Sequence, residues 1–462
     1  MQPQRTISPV DGRVLVERPL AARSDVAAAL DRARLAAAGW RATPVERRIE
    51  LLSQAIDLLA ARREELAAEI TWQMGRPIAQ SPGEVRGLEE RARHMLEVAR
   101  RALADRPAEA KAGFARFIRR EPLGLVFVIA PWNYPYLTAV NSIVPALAAG
   151  NTVLLKHSAQ APLCAERFQE AFDAAGLPPG VFQHLHMSHA AALEVVGSGA
   201  AGLVAFTGSV PAGRAVEAAA AGALVATNLE LGGKDPAYVR EDADLDHAVA
   251  NLVDGACFNS GQSCCGIERI YVHRRLFDPF VAGYVELATR YVLGDPTNPT
   301  TTLGPMVRAA AADLARGQVD EAVAQGARAL LDPGGFPRDA RGSAYLAPQC
   351  LVGVSHVMRV MTEESFAPIV GIMPVEDDAE AVRLMNDSAF GLTASVWTRD
   401  EAAALAIGDR VETGTWFMNR CDYLDPALAW VGIKDSGRGC SLSEEAYGRL
   451  TRPKSFHLRT AL

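Results

Sequence analysis

Cysteine is scarce in this chain of 462 residues. There are seven (Cys164, Cys257, Cys264, Cys265, Cys350, Cys421 and Cys440), an odd number without the spacing of a disulfide framework. Reduced thiols in a cytoplasmic setting are expected, not covalent staples. No apolar run reaches membrane-spanning length without a charge or a turn residue, so no membrane partner is expected. The opening MQPQRTISPVDGRVLVERPL lacks an apolar h-region, and no signal peptide is expected. There is no excess of positive charge either. A formal net charge of -7 disfavours nucleic acid and anionic membranes as partners. Repeats of solenoid period and low-complexity linkers are missing. What remains is ordinary globular composition, 49% hydrophobic and 22% charged, on a chain long enough for two or three domains.

Residues 24–104 carry apolar positions at helical spacing, as in IELLSQAIDLLAARREELAAEITWQM, and predict amphipathic helices packed on a core. From 118 the period changes. GLVFVIAP (124–131), NTVLLKHS (151–158), VFQHLH (181–186) and AGLVAFTG (201–208) are short strand-like runs, each followed by a helical segment. A second series from about 235 contains DPAYV, ERIYVH, PIVGIMPV and TASVWT, again separated by helices. Strands alternating with helices imply βαβ units and parallel sheets, with ligands beyond the carboxyl ends of the strands. The sequence thus predicts an α/β fold of two lobes.

Four stretches suggest chemistry. NSGQSCCGIERIYVH (259–273) sets Cys264 and Cys265 side by side after Gly261, whose freedom permits a turn that presents a side chain at close range. A cysteine is by default a small buried hydrophobe, so the pair alone decides nothing. PWNYP (131–135) ends an apolar strand and offers the Asn133 amide as a donor to a developing oxyanion, or else is a turn made by two prolines. LELGGKDP (229–236) places Glu230 in an apolar strand end, either paired with a buried cation or acting as a base with a tuned pKa. FTGSVPAG (206–213) follows a strand and opens a helix, so its glycines could admit a diphosphate to the helix N-terminus, although the spacing is not G-x-G-x-x-G.

Taken together, PWNYP, PALAAGNTVLLK, FTGS, ELGGKDP, GQSCCGIERIYVH, EESFAP (363–368), NDSAFGLTASVWT (386–398) and GTWFMN (414–419) occur in the order of the aldehyde dehydrogenase superfamily. The chain resembles that family over essentially its whole length. The resemblance implies a Rossmann-type cofactor domain (1–105 and 123–234), a catalytic α/β domain (235–436) and a small oligomerisation element (106–122 and 437–462). It also implies a homodimer or homotetramer. Cys264, second after the glutamine of G-Q-x-C, matches the family nucleophile that attacks the aldehyde carbon. Asn133, with the Cys264 backbone N–H, would hold the thiohemiacetal oxyanion, and Glu230 would activate water against the thioester. Cys265 would line the pocket, and oxidative protection of Cys264 is the alternative to packing. NAD or NADP would be held by Lys156, Ser158, Gly208, Ser209, Gly213, Trp132, Glu364 and Phe366. No metal is assigned.

The sequence also departs from the family pattern. Ala159 stands where NAD-preferring relatives usually carry a ribose-binding glutamate, which removes a charge that would repel a 2′-phosphate; the cofactor is therefore left as NAD or NADP. His157 stands where proline is common, Ala367 replaces a usual glycine, and WVGIKDSGRG (430–439) replaces the usual P-F-G-G-x-K-x-S-G-x-G. The substrate mouth is expected to be lined by Tyr134, Leu137, Asn141, Phe258, Ser263, Cys265, Leu424 and Trp430, largely an apolar tunnel for an aliphatic or aromatic aldehyde. Arg420 and Asp422 offer the alternative of a charged tail, as in a semialdehyde. Rival readings are a coenzyme-A-acylating relative, a non-catalytic scaffold, and glutamyl-phosphate reductase chemistry. The first two commonly lose the base or the nucleophile, and both are present here. The third would not be expected to keep the ELGGKDP and EESFAP series.

Overall fold

In the computed structural model, which describes residues 3–461, two doubly wound α/β lobes stand beside a small antiparallel sheet. Met1, Gln2 and Leu462, the outermost residues of the expected segments, lie outside the described residues. The first lobe is built on a six-stranded sheet with Leu125–Ala130 near its middle, flanked by Thr152–His157 and Phe182–His184 on one side and by Leu203–Thr207 and Ala226–Glu230 on the other. These five strands are parallel, and the short strand Gly437–Arg438 closes the edge antiparallel to Ala226–Glu230. Strand order reverses between Leu125–Ala130 and Leu203–Thr207, so a crevice opens beyond their carboxyl ends. PWNYP and FTGS leave those two ends.

The reason these runs become strands is visible in their burial. Every residue of Leu125–Ala130 and Thr152–His157 is buried, as expected where helices cover both faces of a parallel sheet. One face packs on Trp40, Ile56, Leu59, Leu88 and Met95 from the N-terminal helices. The other packs on Val195, Val196, Val216 and Ala220. Pro131 ends the first strand, and Pro135 at the start of Pro135–Ala148 has the fixed φ that opens a helix.

The second lobe repeats the design with seven strands. Asp235–Val239 lies beside Ile267–His273 on one side and Thr393–Trp397 on the other, all parallel, with Ile369–Val375, Gln349–Val352 and Thr415–Met418 further out. The third unit pairs Thr451–Arg459 antiparallel with Phe114–Pro122, where Phe456 stacks on Phe117 at 4.6 Å between ring centroids. Residues 437–450, assigned from sequence to the oligomerisation element, lie elsewhere. Gly437–Arg438 pairs with the first sheet, and Leu442, Ala446, Tyr447 and Leu450 pack into the first core. That segment is apolar on one side and finds its burial there; the projecting strand starts at Thr451.

Candidate active site

Cys264 follows a strained turn. Asn259, Ser260 and Gly261 all have positive φ (53°, 56° and 67°), a run that ordinary residues avoid. Glycine is needed at 261 because a Cβ there would strike the Ala367–Pro368 backbone, so the loop before Cys264 and EESFAP touch. Gln262 pins the turn, its Oε1 accepting from Val307 N at 2.7 Å and its Nε2 donating to Asn259 O at 3.2 Å. A side chain at Gly233 would likewise meet the Cys264 carbonyl oxygen.

Asn133 reaches the same loop. Its Nδ2 donates to Gln262 O at 3.2 Å, two residues before Cys264, and the other N–H of that amide remains for a ligand. Arg76 holds this junction together. Its guanidinium donates to Asn259 Oδ1 at 3.0 Å, to the Asn133 carbonyl and to Glu84 at 2.5 Å, and lies 4.5 Å from the Tyr134 ring centroid. Glu84 in turn accepts from the Tyr136 and Leu137 amides at 2.9 Å each, capping the helix that starts just after Asn133. Arg76 and Glu84 are both buried. Nothing local in the sequence marks either one.

Glu230 ends its strand facing the crevice. Ser441 Oγ donates to its Oε1, and Thr207 Oγ1 lies 3.3 Å from Oε2. Ser441 is brought there by a backbone bridge to Trp430, with N–H···O distances of 2.8 and 3.0 Å. Burial raises the Glu230 pKa, while the two hydroxyls and the charge of Arg91 pull it back down. A carboxylate tuned upward in this way suits a base working near neutral pH.

Cys264, Cys265 and Glu230 line one cavity of about 430 Å³ together with Tyr134, Leu137, Asn141, Phe258, Ser263, Leu424 and Trp430. Every residue expected at the substrate mouth is therefore brought together, with one exception. Arg420 is exposed, lies outside the cavity lining and has its guanidinium 3.9 Å from the Tyr423 ring centroid. The expectation that it faces the substrate is corrected: stacking on Tyr423 turns it to solvent. The apolar tunnel is corrected too, because Arg76, Arg86, Arg91, Glu84, Glu90 and Asp422 share the lining. Asp422, with φ of 48°, accepts from Ser263 Oγ at 3.1 Å and from Cys265 Sγ at 2.9 Å; its carboxyl is pushed up to about 6, chiefly by burial.

Of the residues expected at the cofactor, Trp132, Lys156, Ser158, Gly208 and Ser209 lie at or just beyond the carboxyl ends of parallel strands of the first sheet. Lys156 is buried, with burial alone lowering its pKa, and among the described residues no carboxylate pairs with it. Glu364 has a carboxyl raised to about 8 by burial and, next, by the charge of Glu268, with the Gly233 amide as donor at 3.0 Å. An under-partnered ammonium and an under-partnered carboxyl fit a group rich in hydroxyls, as the two riboses of a dinucleotide are. Ser209 precedes the helix Val210–Ala221 with its hydroxyl free of capping, and Gly213 lies close enough to Leu231 that a Cβ there would have to displace the Leu231 methyl groups. Trp132 meets Phe366 edge-on at 5.7 Å, and Phe366 holds a positive φ of 51°. That strained turn is fastened by the buried pair Lys234–Glu268, whose carboxylate accepts from the Ser365 and Phe366 amides at 2.8 and 2.9 Å. Both residues sit inside motifs quoted above, yet the sequence gives no sign that they pair. Ser158 uses its hydroxyl locally on Gln160 N at 3.2 Å, and at Ala159 the backbone carbonyl accepts from Thr6 Oγ1 at 2.7 Å.

Comparison with known proteins identifies the family. The profile of the Aldehyde dehydrogenase family matches residues 2–456. The chain is 36% identical over 444 residues to a succinate-semialdehyde dehydrogenase [NADP(+)] of Mycobacterium avium (strain 104), covering 96% of this chain and 93% of that protein. Among solved structures, that of Gox0499, studied for cofactor and substrate selection, superposes with a TM-score of 0.95 at 33% identity, covering 99% of this chain and 100% of the other. PnpE, known from Pseudomonas sp. WBC-3 and solved in complex with nicotinamide adenine dinucleotide, gives a TM-score of 0.95 at 30% identity over 100% of this chain and 95% of the other.

Proposed function

The chain belongs to the aldehyde dehydrogenase family and is an NAD(P)-dependent aldehyde dehydrogenase; from that premise we propose that it oxidises a short aldehyde carrying one carboxylate, hydrolytically, to the dicarboxylic acid. The observation that carries the chemistry is that Cys264 and Glu230 wall one cavity, the carboxylate held by two hydroxyls and raised by burial. The name of the Mycobacterium avium relative and the charged cavity lining support the substrate class.

Cys264 Sγ adds to the aldehyde carbon, and the oxyanion so formed takes the free N–H of Asn133 and the Cys264 backbone N–H. Lys156, Ser209, Glu364 and Phe366 would hold the dinucleotide. When bound, NAD or NADP would supply the hydride acceptor needed to oxidise the thiohemiacetal to a thioester on Cys264. Glu230 then takes a proton from water as that water attacks the thioester, and the thiolate leaves with the acid released. Asn133 serves the second oxyanion as it served the first.

No helix among the described residues is long and apolar enough to cross a membrane, and all seven cysteines are free thiols; both support a cytoplasmic protein. Among the described residues Thr451–Arg459 is an edge strand paired only with Phe114–Pro122, and it supports a homodimer or homotetramer built through that edge.

The test is reduced-nicotinamide formation with succinate semialdehyde and NAD or NADP, without and with coenzyme A, in the parent and in Glu230→Gln. The parent turns over without coenzyme A. The variant forms about one reduced nicotinamide per active site in a burst and then stalls, because hydrolysis of the thioester has lost its base. Turnover of the parent only with coenzyme A would replace the hydrolytic reading with the acylating one.

A further inference from the structure

The cavity around Cys264 contains a cation that the reaction leaves unused. Arg91 lies on the helix Ser81–Ala102 with 8% of its surface exposed. Among the described residues no carboxylate pairs with it. Of the four glutamates on that helix, Glu84 is taken by Arg76 and by two backbone amides, and Glu89 pairs with Arg63 and Arg93. Asp422 is engaged by Ser263 and Cys265. Arg91 uses only Nη1, donating to Leu137 O at 3.0 Å and to Asn141 Oδ1 at 3.4 Å, which leaves Nε and Nη2 free. A buried guanidinium with no carboxylate bonded to it is unfavourable on its own, and its planar fork matches a carboxylate.

Asn141 supplies a second, independent observation. It is 2% exposed, and its Nδ2 has no hydrogen-bond partner. The orientation of the amide is set by Arg91, which needs an acceptor and so faces Oδ1. Buried amide donors are almost always satisfied in folded proteins, so a free one in a cavity wall marks the place of an acceptor. Both side chains line the cavity that holds Cys264 and Glu230. The charge of Glu84 and then those of Cys265, Glu230 and Cys264 act on Arg91, which places it beside the reacting groups.

This inference rests on the function proposed above. The geometry points to Arg91 and Asn141 as the subsite for the terminal carboxylate of the aldehyde, with the guanidinium and the Asn141 amide both donating to its oxygens. The aldehyde end is then directed at Cys264. Arg91, not Arg420, is the residue that selects a charged tail.

The experiment compares kcat/KM for succinate semialdehyde with that for its uncharged methyl ester, in the parent, Arg91→Gln and Asn141→Asp, with folding checked by thermal unfolding. The parent favours the acid over the ester. In Arg91→Gln the acid-to-ester ratio falls at least tenfold, mainly through KM for the acid. Asn141→Asp, which sets a negative charge beside the subsite, lowers the same ratio at least tenfold and decides the matter alone if Arg91→Gln does not fold. A parent that favours the acid while the ratio in the folded variants stays within twofold overturns the subsite and leaves the proposed function standing. A parent that does not favour the acid overturns the substrate class, and the subsite with it.

Discussion

The Cys265 thiol lies 2.9 Å from Asp422 Oδ1 and donates to it. The neighbouring Cys264, burial and the Asp422 charge all hold the Cys265 pKa well above that of an ordinary thiol, so this sulfur stays protonated while its neighbour faces the cavity. Adjacency in sequence therefore does not make the two cysteines equivalent. Cys264→Ser is expected to lose activity by roughly 10³-fold or more, as removal of a nucleophile does, whereas Cys265→Ser keeps turnover at least a hundredfold above that of Cys264→Ser. Steady-state rates of the two single variants settle it. Equal losses would mean that the nucleophile had been assigned to the wrong sulfur or to the pair.

Ser441 sets the working pH of Glu230. Burial raises that carboxyl, and the Ser441 hydroxyl is the largest influence opposing the rise. The base must be ionised to activate water, so the rate falls as pH drops through the Glu230 pKa. Removing the hydroxyl in Ser441→Ala favours the protonated form further. The acid limb of the pH–kcat profile is expected to move to higher pH, with less effect at alkaline pH where Glu230 is ionised in both proteins. An unmoved limb would show that another group controls it.

Much of this was legible in sequence, and the part that was not has a physical reason. Strands such as Leu125–Ala130 and Asp235–Val239 announce themselves as short β-branched or apolar runs closed by proline or by a charge, and their motifs carry Asn133, Glu230 and Cys264 with them. The partners of those residues arrive from far away in the chain. Arg76 meets Asn259 across 183 residues and Ser441 meets Glu230 across 211. A motif fixes a local turn; it cannot show which distant side chain closes on it. Arg91 sits in an ordinary run of charged helical residues, and only packing shows that it turns inward. Arg420 failed in the opposite sense, since a loop residue beside the pocket in sequence is drawn outward by the ring of Tyr423.

His157 makes stability depend on pH. It is buried, its Nε2 is 3.0 Å from Pro135 O, and burial lowers its pKa to about 4. Between about 6.5 and 4 the unfolded chain binds a proton that the folded protein refuses, so stability is lost as pH falls through that window. The loss attributable to this group across the whole window is on the order of 3 kcal/mol. His157→Asn should therefore show a smaller drop in urea midpoint between pH 7 and pH 5 than the parent, even if it is less stable at pH 7. A difference between the two pH values as large as the parent's would mean that His157 is not the titrating group.

Arg76 couples the nucleophile loop to the oxyanion donor. Its guanidinium reaches Asn259, which belongs to the strained turn before Cys264, and the Asn133 carbonyl, while Glu84 neutralises it and caps the helix that follows Asn133. Taking away one member of a buried pair strands the other, so Arg76→Met is expected to lose about 3–5 kcal/mol of stability. Replacing both, in Arg76→Met with Glu84→Gln, removes the stranded charge and should recover part of that loss in chemical unfolding. Catalysis should not recover with it, because methionine offers nothing to Asn259 or to the Asn133 carbonyl, and the amide that meets the oxyanion is left without its support. Recovery of stability together with kcat in the double variant would show that Arg76 serves the fold alone. Recovery of stability without kcat identifies it as the residue that positions Asn133.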